Sequence, residues 1–304
     1  MKIINKLKQL IYLIKSLDSR LYNIQNAIGR VETRQNIASS NLNIADSEFK
    51  VFSQWGEDGI IQYLISKINI DNFTFVEFGV ETYTESNTRF LLVNDNWSGL
   101  VIDGSQENVD YIKSDPIYWQ HNLKAECSFI DKDNINQIIK RNGMTGEIGL
   151  LSVDIDGNDY WVWQAIDVVN PSIVICEYNS LWGATMSVTT PYKADFFRGS
   201  AHSSNLYYGA SIQALVDLAM AKGYSLVAGN KVGNNIFFVR NDLLDEVTPM
   251  TAKNVWVESQ FRESRDANGE LTFLDFGKRL ELIANLPLVD LKTKRNITVG
   301  DLVQ

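Results

Sequence analysis

Apolar residues recur along the first 31 positions at alternating steps of four and three: Ile3, Leu7, Leu10, Ile14, Leu17, Leu21, Ile24, Ile28 and Val31. A 3.5-residue repeat keeps one apolar seam on a helix facing a partner helix. The spacing predicts a coiled-coil helix over residues 1–33. Leu7, Ile14, Leu21 and Ile28 take one seam position; Leu10, Leu17, Ile24 and Val31 take the other. Ile4, Ile11 and Leu13 widen the apolar face near the start, which favours more than two strands. A homo-oligomer is the favoured expectation. The same stripe also suits docking on the chain's own body or, less favoured, contact with an anionic membrane. Residues 34–49 are polar and rich in Asn and Ser, and read as a linker.

From residue 50 onwards the period changes. Residues 72–80, 97–104, 123–130, 148–155 and 172–178 are short apolar runs rich in Val, Ile and Phe. Helical patterns lie at 58–68, 87–93, 134–141 and 160–168. This alternation predicts a parallel sheet covered by helices on both faces. Residues 211–222 form a further helical pattern ended by Gly223. Residues 224–228 and 236–240 then flank the turn-rich GNKVGNN and predict an antiparallel hairpin at the sheet edge. The fold expected is α/β: a Rossmann-like class I methyltransferase sheet, parallel strands ending in that hairpin, with the N-terminal coiled-coil helix. The main domain is expected over 50–245. Residues 246–304 hold one weak amphipathic stretch, 276–286, and are expected as a C-terminal cover.

Composition narrows the function classes. Of 304 residues, 45% are hydrophobic and 21% charged, which supplies a sizeable core and excludes wholesale disorder. The net charge of −9 is the opposite of what a phosphate-reading protein carries, so no nucleic-acid partner is expected. Residues 1–33 have six basic against two acidic side chains, +4 net, leaving −13 on the rest. Cys127 and Cys176 both sit in strand-like runs, which excludes a disulfide scaffold and a cysteine zinc cluster. No run approaches the roughly 20 apolar residues of a membrane span, and no small-residue cleavage site follows Leu10–Ile14. A cytoplasmic location is expected.

Ligands of open parallel sheets bind beyond the C-terminal ends of the strands. Glu77 ends the first strand; Asp103 ends the second, 26 residues later, where an acid can accept both ribose hydroxyls. Gly79 permits close backbone approach, and Asp131, past the third strand, would meet an adenine amino group. A dinucleotide site would show G-x-G-x-x-G here. The chain has Gly79 alone, followed by Glu81, which would repel a diphosphate. S-adenosylmethionine (SAM) carries a sulfonium and an amino group and no phosphate, and suits acids.

The order of FSQWGEDGII (52–61), VEFGV, SNTRFL, GLVIDG, LLSVDIDGNDYWVW (150–163), ICEYNSLWG (175–183), YYGASIQAL, KGYSLVAGN and NIFFVRNDL resembles the FkbM-like class I SAM-dependent methyltransferases over about residues 50–245. The resemblance implies SAM as cofactor, Gln54 and Glu57 near its methionine end, and transfer of a methyl group to a hydroxyl. The acceptor implied is a sugar, nucleotide-activated or tied to a surface polysaccharide.

Asp154 ends the fourth strand, and Glu177 and Asn179 end the fifth. The arrangement is similar to the metal-dependent catechol and caffeoyl-CoA O-methyltransferases. By that likeness Asp154, Glu177 and Asn179 would hold Mg2+ or Mn2+ and lower the pKa of the acceptor hydroxyl. The base candidates are Asp159, on the helix after the fourth strand, and His202, in the hydroxyl-rich SAHSSNLYYG loop. Two rivals stand beside this reading. One is a metal-dependent nucleotide-sugar glycosyltransferase using Asp154 and Asp156; the other is a non-catalytic coiled-coil scaffold with a degenerate body. Cofactor titration separates the three.

Overall fold

The computed structural model describes residues 2–39, 43–260 and 263–303. In chain order, helix α1 is Lys2–Ala38 and α2 is Glu57–Lys67; strand β1 is Thr74–Phe78, α3 is Arg89–Asn94 and β2 is Ser98–Asp103. Helices α4 (Gln106–Ser114) and α5 (Ile117–Gln120) precede β3 (Leu123–Cys127). Then come α6 (Ile135–Arg141), β4 (Gly146–Val153), α7 (Asp159–Ala165), β5 (Val169–Glu177), β6 (Val188–Thr189), α8 (Arg198–Ala201) and α9 (Ile212–Lys222). The hairpin β7 (Tyr224–Gly229) and β8 (Asn235–Arg240) is followed by α10 (Ala252–Val255), α11 (Phe276–Leu282), β9 (Pro287–Asp290) and β10 (Arg295–Thr298).

Seven strands form one sheet in the order β3-β2-β1-β4-β5-β8-β7. The first five are mutually parallel; β8 runs antiparallel to β5, with Cys176 opposite Ile236. Both faces are buried, as continuous apolar strands require. On one face Val76, Leu100, Leu151, Val174 and Phe238 pack under α6, α7 and α9. On the other, Phe75, Val101, Leu150, Ile173 and Phe237 pack under α2 and α3. The expected strands and helices are present, with ends moved by a few residues. Helix α4 went unforeseen because only Val109 and Ile112 of its nine residues are buried.

Strand β6 pairs with β9, and β9 with β10, in a second, three-stranded sheet. Leu181, Trp182, Tyr207, Leu280 and Leu288 form its core. Residues after 246 thus interleave with the segment 180–211.

Helix α1 is one element of 37 residues, running past the expected start of the linker at 34. Residues 40–42 of that segment, and the side chain of Ile3, lie outside the described residues. Tyr22 packs with Val51, Phe52 and Phe90. Gly29 allows the closest approach: a Cβ there would lie 2.5 Å from Val51 and 2.9 Å from Phe90. Asn36 donates to the Ser47 carbonyl over 2.7 Å. The described helices include none long and apolar enough to cross a membrane.

Candidate functional site

Strand β1 ends at Phe78 because the chain turns at Gly79, whose φ of +67° is left-handed. A Cβ at Gly79 would lie 1.9 Å from the Asp154 carbonyl oxygen, so the tips of β1 and β4 touch there. Two adjoining cavities open at this contact, of about 250 Å³ and about 230 Å³, sharing Gly79, Glu81, Asp154, Asp156 and Arg198. They form one cleft at the C-terminal edge of the parallel strands.

The smaller cavity is an apolar slot with one acid at its floor. Ile102, Phe129, Ile130 and Phe197 line it beside Asp103. Phe129 and Phe197 are 54% and 65% exposed, so both present open ring surface. Asp103 accepts hydrogen bonds from the Glu81 and Ser105 backbone N–H groups and the Asn108 amide, at 2.8–2.9 Å. Those donors fix the position of the carboxylate at the slot.

The larger cavity is walled by charge. Gln54, Glu77, Glu81, Glu85, Asp154, Asp156, Glu177 and Glu263 line it with Arg198. Arg198 is committed elsewhere: it bonds Asp156 at 2.7 Å, Glu263 at 3.3 Å and the Asn205 carbonyl at 2.7 Å, and stacks 4.0 Å from the Tyr208 ring centre. Glu177 is 6% exposed, and its Oε2 has no hydrogen-bond partner among the described residues. Burial, then the charges of Asp154 and Asp156, raise the Glu177 pKa well above the ordinary value. Asp154 keeps one edge open to the cleft; burial, then Asp156 and Asp159, raise its pKa in turn. Both carboxyl groups line the cleft, and Arg198, already paired with Asp156 and Glu263, offsets their charge only in part.

Glu77 lines the cleft but is already occupied. The Asn87 and Thr88 N–H groups donate to it over 2.8 and 3.1 Å, the Thr88 hydroxyl bonds it too, and burial pushes its pKa up to about 7. It anchors the start of α3. Gln54 stands in the cleft because Asp58, behind it, gathers the N–H groups of Val51, Phe52 and Ser53 at 2.7–2.8 Å.

Other expected site residues are turned to local structure. Glu57 is fully buried and does not line the cleft; it stands behind it, tying the Asn230 and Asn235 amides of the hairpin at 2.7 and 2.9 Å. Asp131 accepts the Asp133 and Asn134 N–H groups and shapes the approach to α6; Ser128, Phe129 and Ile130 line the slot in its place. Asp159 is fully buried, takes the N–H groups of Ile155 and Gly157 at 2.8 Å and does not line the cleft. His202 bonds Ser204 through Nδ1 and does not line the cleft.

The three-ligand metal site does not form. The Asn179 amide donates to the Leu206 and Tyr208 carbonyls, both at 3.0 Å, and its Oδ1 accepts the Leu181 N–H. No oxygen of Asn179 is turned towards Glu177 and Asp154. Among the described residues no cluster of three or more His, Cys, Asp or Glu side chains suits a metal ion. The donor set does not fit Mg2+ or Mn2+. Asp156 of the glycosyltransferase pair is ion-paired with Arg198 at 2.7 Å.

Sequence reasoning missed Arg198 and Glu263. A usable signal existed for the first: Arg198 is the sole arginine between Arg141 and Arg240, in a body of net charge −13.

The sheet order and the single antiparallel strand beside β5 define the architecture. The fold is that of the class I, Rossmann-like methyltransferases. No known protein family and no curated protein matches the sequence. Solved structures do match. One is a SAM-dependent methyltransferase from Clostridium acetobutylicum, at 11% identity over 55% of this chain and 83% of that one, TM-score 0.34. A second is an O-methyltransferase from Bacillus cereus in complex with S-adenosylhomocysteine (SAH), at 14% identity over 55% and 74%, TM-score 0.35. A third is the N-terminal domain of EvdMO1 with SAH bound, at 10% identity over 70% and 95%, TM-score 0.40. These likenesses are too slight to add to what the sheet order itself gives.

Proposed function

We propose that the chain is a SAM-dependent O-methyltransferase that transfers a methyl group to a hydroxyl of a sugar. The observation that carries this is the pairing of an apolar, acid-floored slot with a cleft whose carboxyl groups outnumber the one arginine that lines it. A flat adenine with a ribose diol fits the slot, and a sulfonium with an ammonium group balances the carboxyls. SAM supplies the electrophilic methyl group on its sulfonium. Asp103 accepts the ribose hydroxyls, Phe129 and Phe197 cover the base, and Gly79 gives the backbone room at the touching strand tips. Glu177 Oε2, with its free lone pairs, takes the proton of the acceptor hydroxyl.

The acceptor side is polar throughout, with Gln54, Asn87, Asn234 and Asn235 on its wall, which suits a polyhydroxyl compound. Arg198 is the cation of that wall, and it is already paired. A diphosphate would meet carboxylates and no free cation. A free or polymer-linked sugar therefore fits better than a nucleotide-linked one.

Titration calorimetry with SAM tests the reading. Wild type is expected to bind, and Asp103→Ala to bind roughly 30- to 150-fold more weakly, the equivalent of about 2–3 kcal/mol for charged hydrogen bonds. Equal affinity would remove Asp103 from the ribose; no binding by wild type would remove the reading itself. Turnover in excess EDTA is expected to equal that of untreated enzyme. A loss that Mg2+ restores would return a metal to the cleft.

A further inference from the structure

Helix α1 carries two stripes. Tyr22, Asn26, Gly29, Thr33 and Asn36 follow one another at steps of four and three and turn towards the body, each buried or half-buried. The seam residues Leu7, Leu10, Ile14, Leu17, Leu21, Ile24, Ile28 and Val31 do not. They are 44% to 64% exposed, from Val31 to Leu21. With the seam in positions a and d of a heptad, the docking stripe falls at b and f. At roughly 100° per residue the two faces point about 150° apart. Docking on the body therefore leaves the seam uncovered.

We propose that the seam of α1 is covered by further copies of this chain, joined in a coiled coil that carries the bodies on its outer side. The occupant follows from the period. A helix packed on a globular surface is free to drift at 3.6 residues per turn, and over four heptads the stripe would wander by about 80°. This seam holds to 3.5 without a break from Leu7 to Val31, which is useful only against a helix with the same repeat. Every copy supplies one. The body-facing stripe ends near Tyr22, so among the described residues the N-terminal half has no partner within its own chain, and Ile4, Leu10, Ile11, Leu13 and Ile14 are all about half exposed there. Apolar residues on both flanks of the seam, Ile4 and Ile11 on one and Leu13 on the other, point to three or four chains over two.

The proposal is independent of the methyltransferase reading and is tested without substrate. In light scattering of the full chain without detergent, the expected mass is three or four times 34.4 kDa. The full-chain double variant Leu17→Asp, Ile24→Asp should run as a monomer. Tyr12→Asp, Ser19→Asp places the same charges at exposed f positions of the same helix and should keep the assembly. Circular dichroism of both variants checks that α1 stays helical; should the seam variant lose helix, Leu17→Ala, Ile24→Ala provides the milder comparison and should weaken assembly by at least tenfold in concentration. A monomeric wild type overturns the proposal, as does an assembly indifferent to every seam change. Flotation of wild type with phosphatidylglycerol vesicles separates the remaining case: a monomer that floats assigns the seam to lipid.

Discussion

Gly79→Ala is expected to abolish measurable SAM binding and to lower the melting temperature by about 4–20 °C. Two costs add. A side chain at a φ of +67° costs about 1–2 kcal/mol of backbone strain. The new Cβ would also lie 1.9 Å from the Asp154 carbonyl, so the tips of β1 and β4 must part, and overpacking of this kind costs about 1–3 kcal/mol. The sum, about 2–5 kcal/mol, converts to the stated shift at about 2–4 °C per kcal/mol for a chain of this size. Parting those tips also moves Asp154 and the loop bearing Glu81, which belong to both halves of the cleft. Gly223→Ala is the control. It is left-handed, with a φ of +86°, and nothing lies within 4 Å of the added Cβ, so it carries the backbone cost alone. If the two variants melt alike and both bind SAM, the contact between the strand tips is dispensable.

The sheet was legible because parallel strands buried on both faces leave continuous apolar runs, and the helices between them leave a different period. The small sheet was not. Strand β6 has two residues, and its partners β9 and β10 lie about 100 residues downstream, so neither length nor pattern marks it. The decay of the α1 pattern after Val31 has a similar cause: the face that the helix buries there is the b and f stripe, occupied by Asn26, Gly29, Thr33 and Asn36, which are not apolar. In the site, strand-end position located Asp103, Glu77, Asp154 and Glu177 at the cleft. Position does not tell whether a carboxylate faces outward or is taken up by backbone donors. Asp131, Asp159 and Glu57 are acids near the same edge that accept nearby N–H groups or hairpin amides and do not line the cleft, a distinction that no spacing encodes. Asn179 misled for the related reason that an amide two residues beyond the acid turned towards carbonyls instead of the cleft.

The largest kinetic effect is expected at Glu177. Glu177→Gln keeps the shape of the side chain but removes its capacity to take a proton, and should lower kcat by about 10²–10⁴-fold, the usual worth of a general base. Its SAM affinity should fall as well, by less than kcat, since one of the two carboxyls that balance the cation is lost while Asp103 and the slot are untouched. The pH profile gives a sharper reading than the rate alone. Burial and the neighbouring charges of Asp154 and Asp156 raise the Glu177 pKa, and the base must be ionised to act. Wild-type kcat should therefore climb with pH through a raised carboxyl pKa and then level off, and this limb should vanish in Glu177→Gln. The same raised values set the pH dependence of stability with the opposite sense. Between its unfolded and folded pKa values, each such carboxyl binds more protons in the folded state than in the unfolded state, so stability falls as pH rises through that window. For Glu77 the window runs from 4.5 to about 7. Bound SAM adds positive charge beside Asp154 and Glu177 and favours their ionised forms. Its gain in melting temperature should thus be larger near pH 8 than near pH 5. SAH, which lacks the sulfonium charge, should show a weaker pH dependence. A SAM-induced gain that is flat across this range, or equal to that of SAH, would mean that the paired carboxyls do not meet the cation, and the role given to Glu177 would pass to another group.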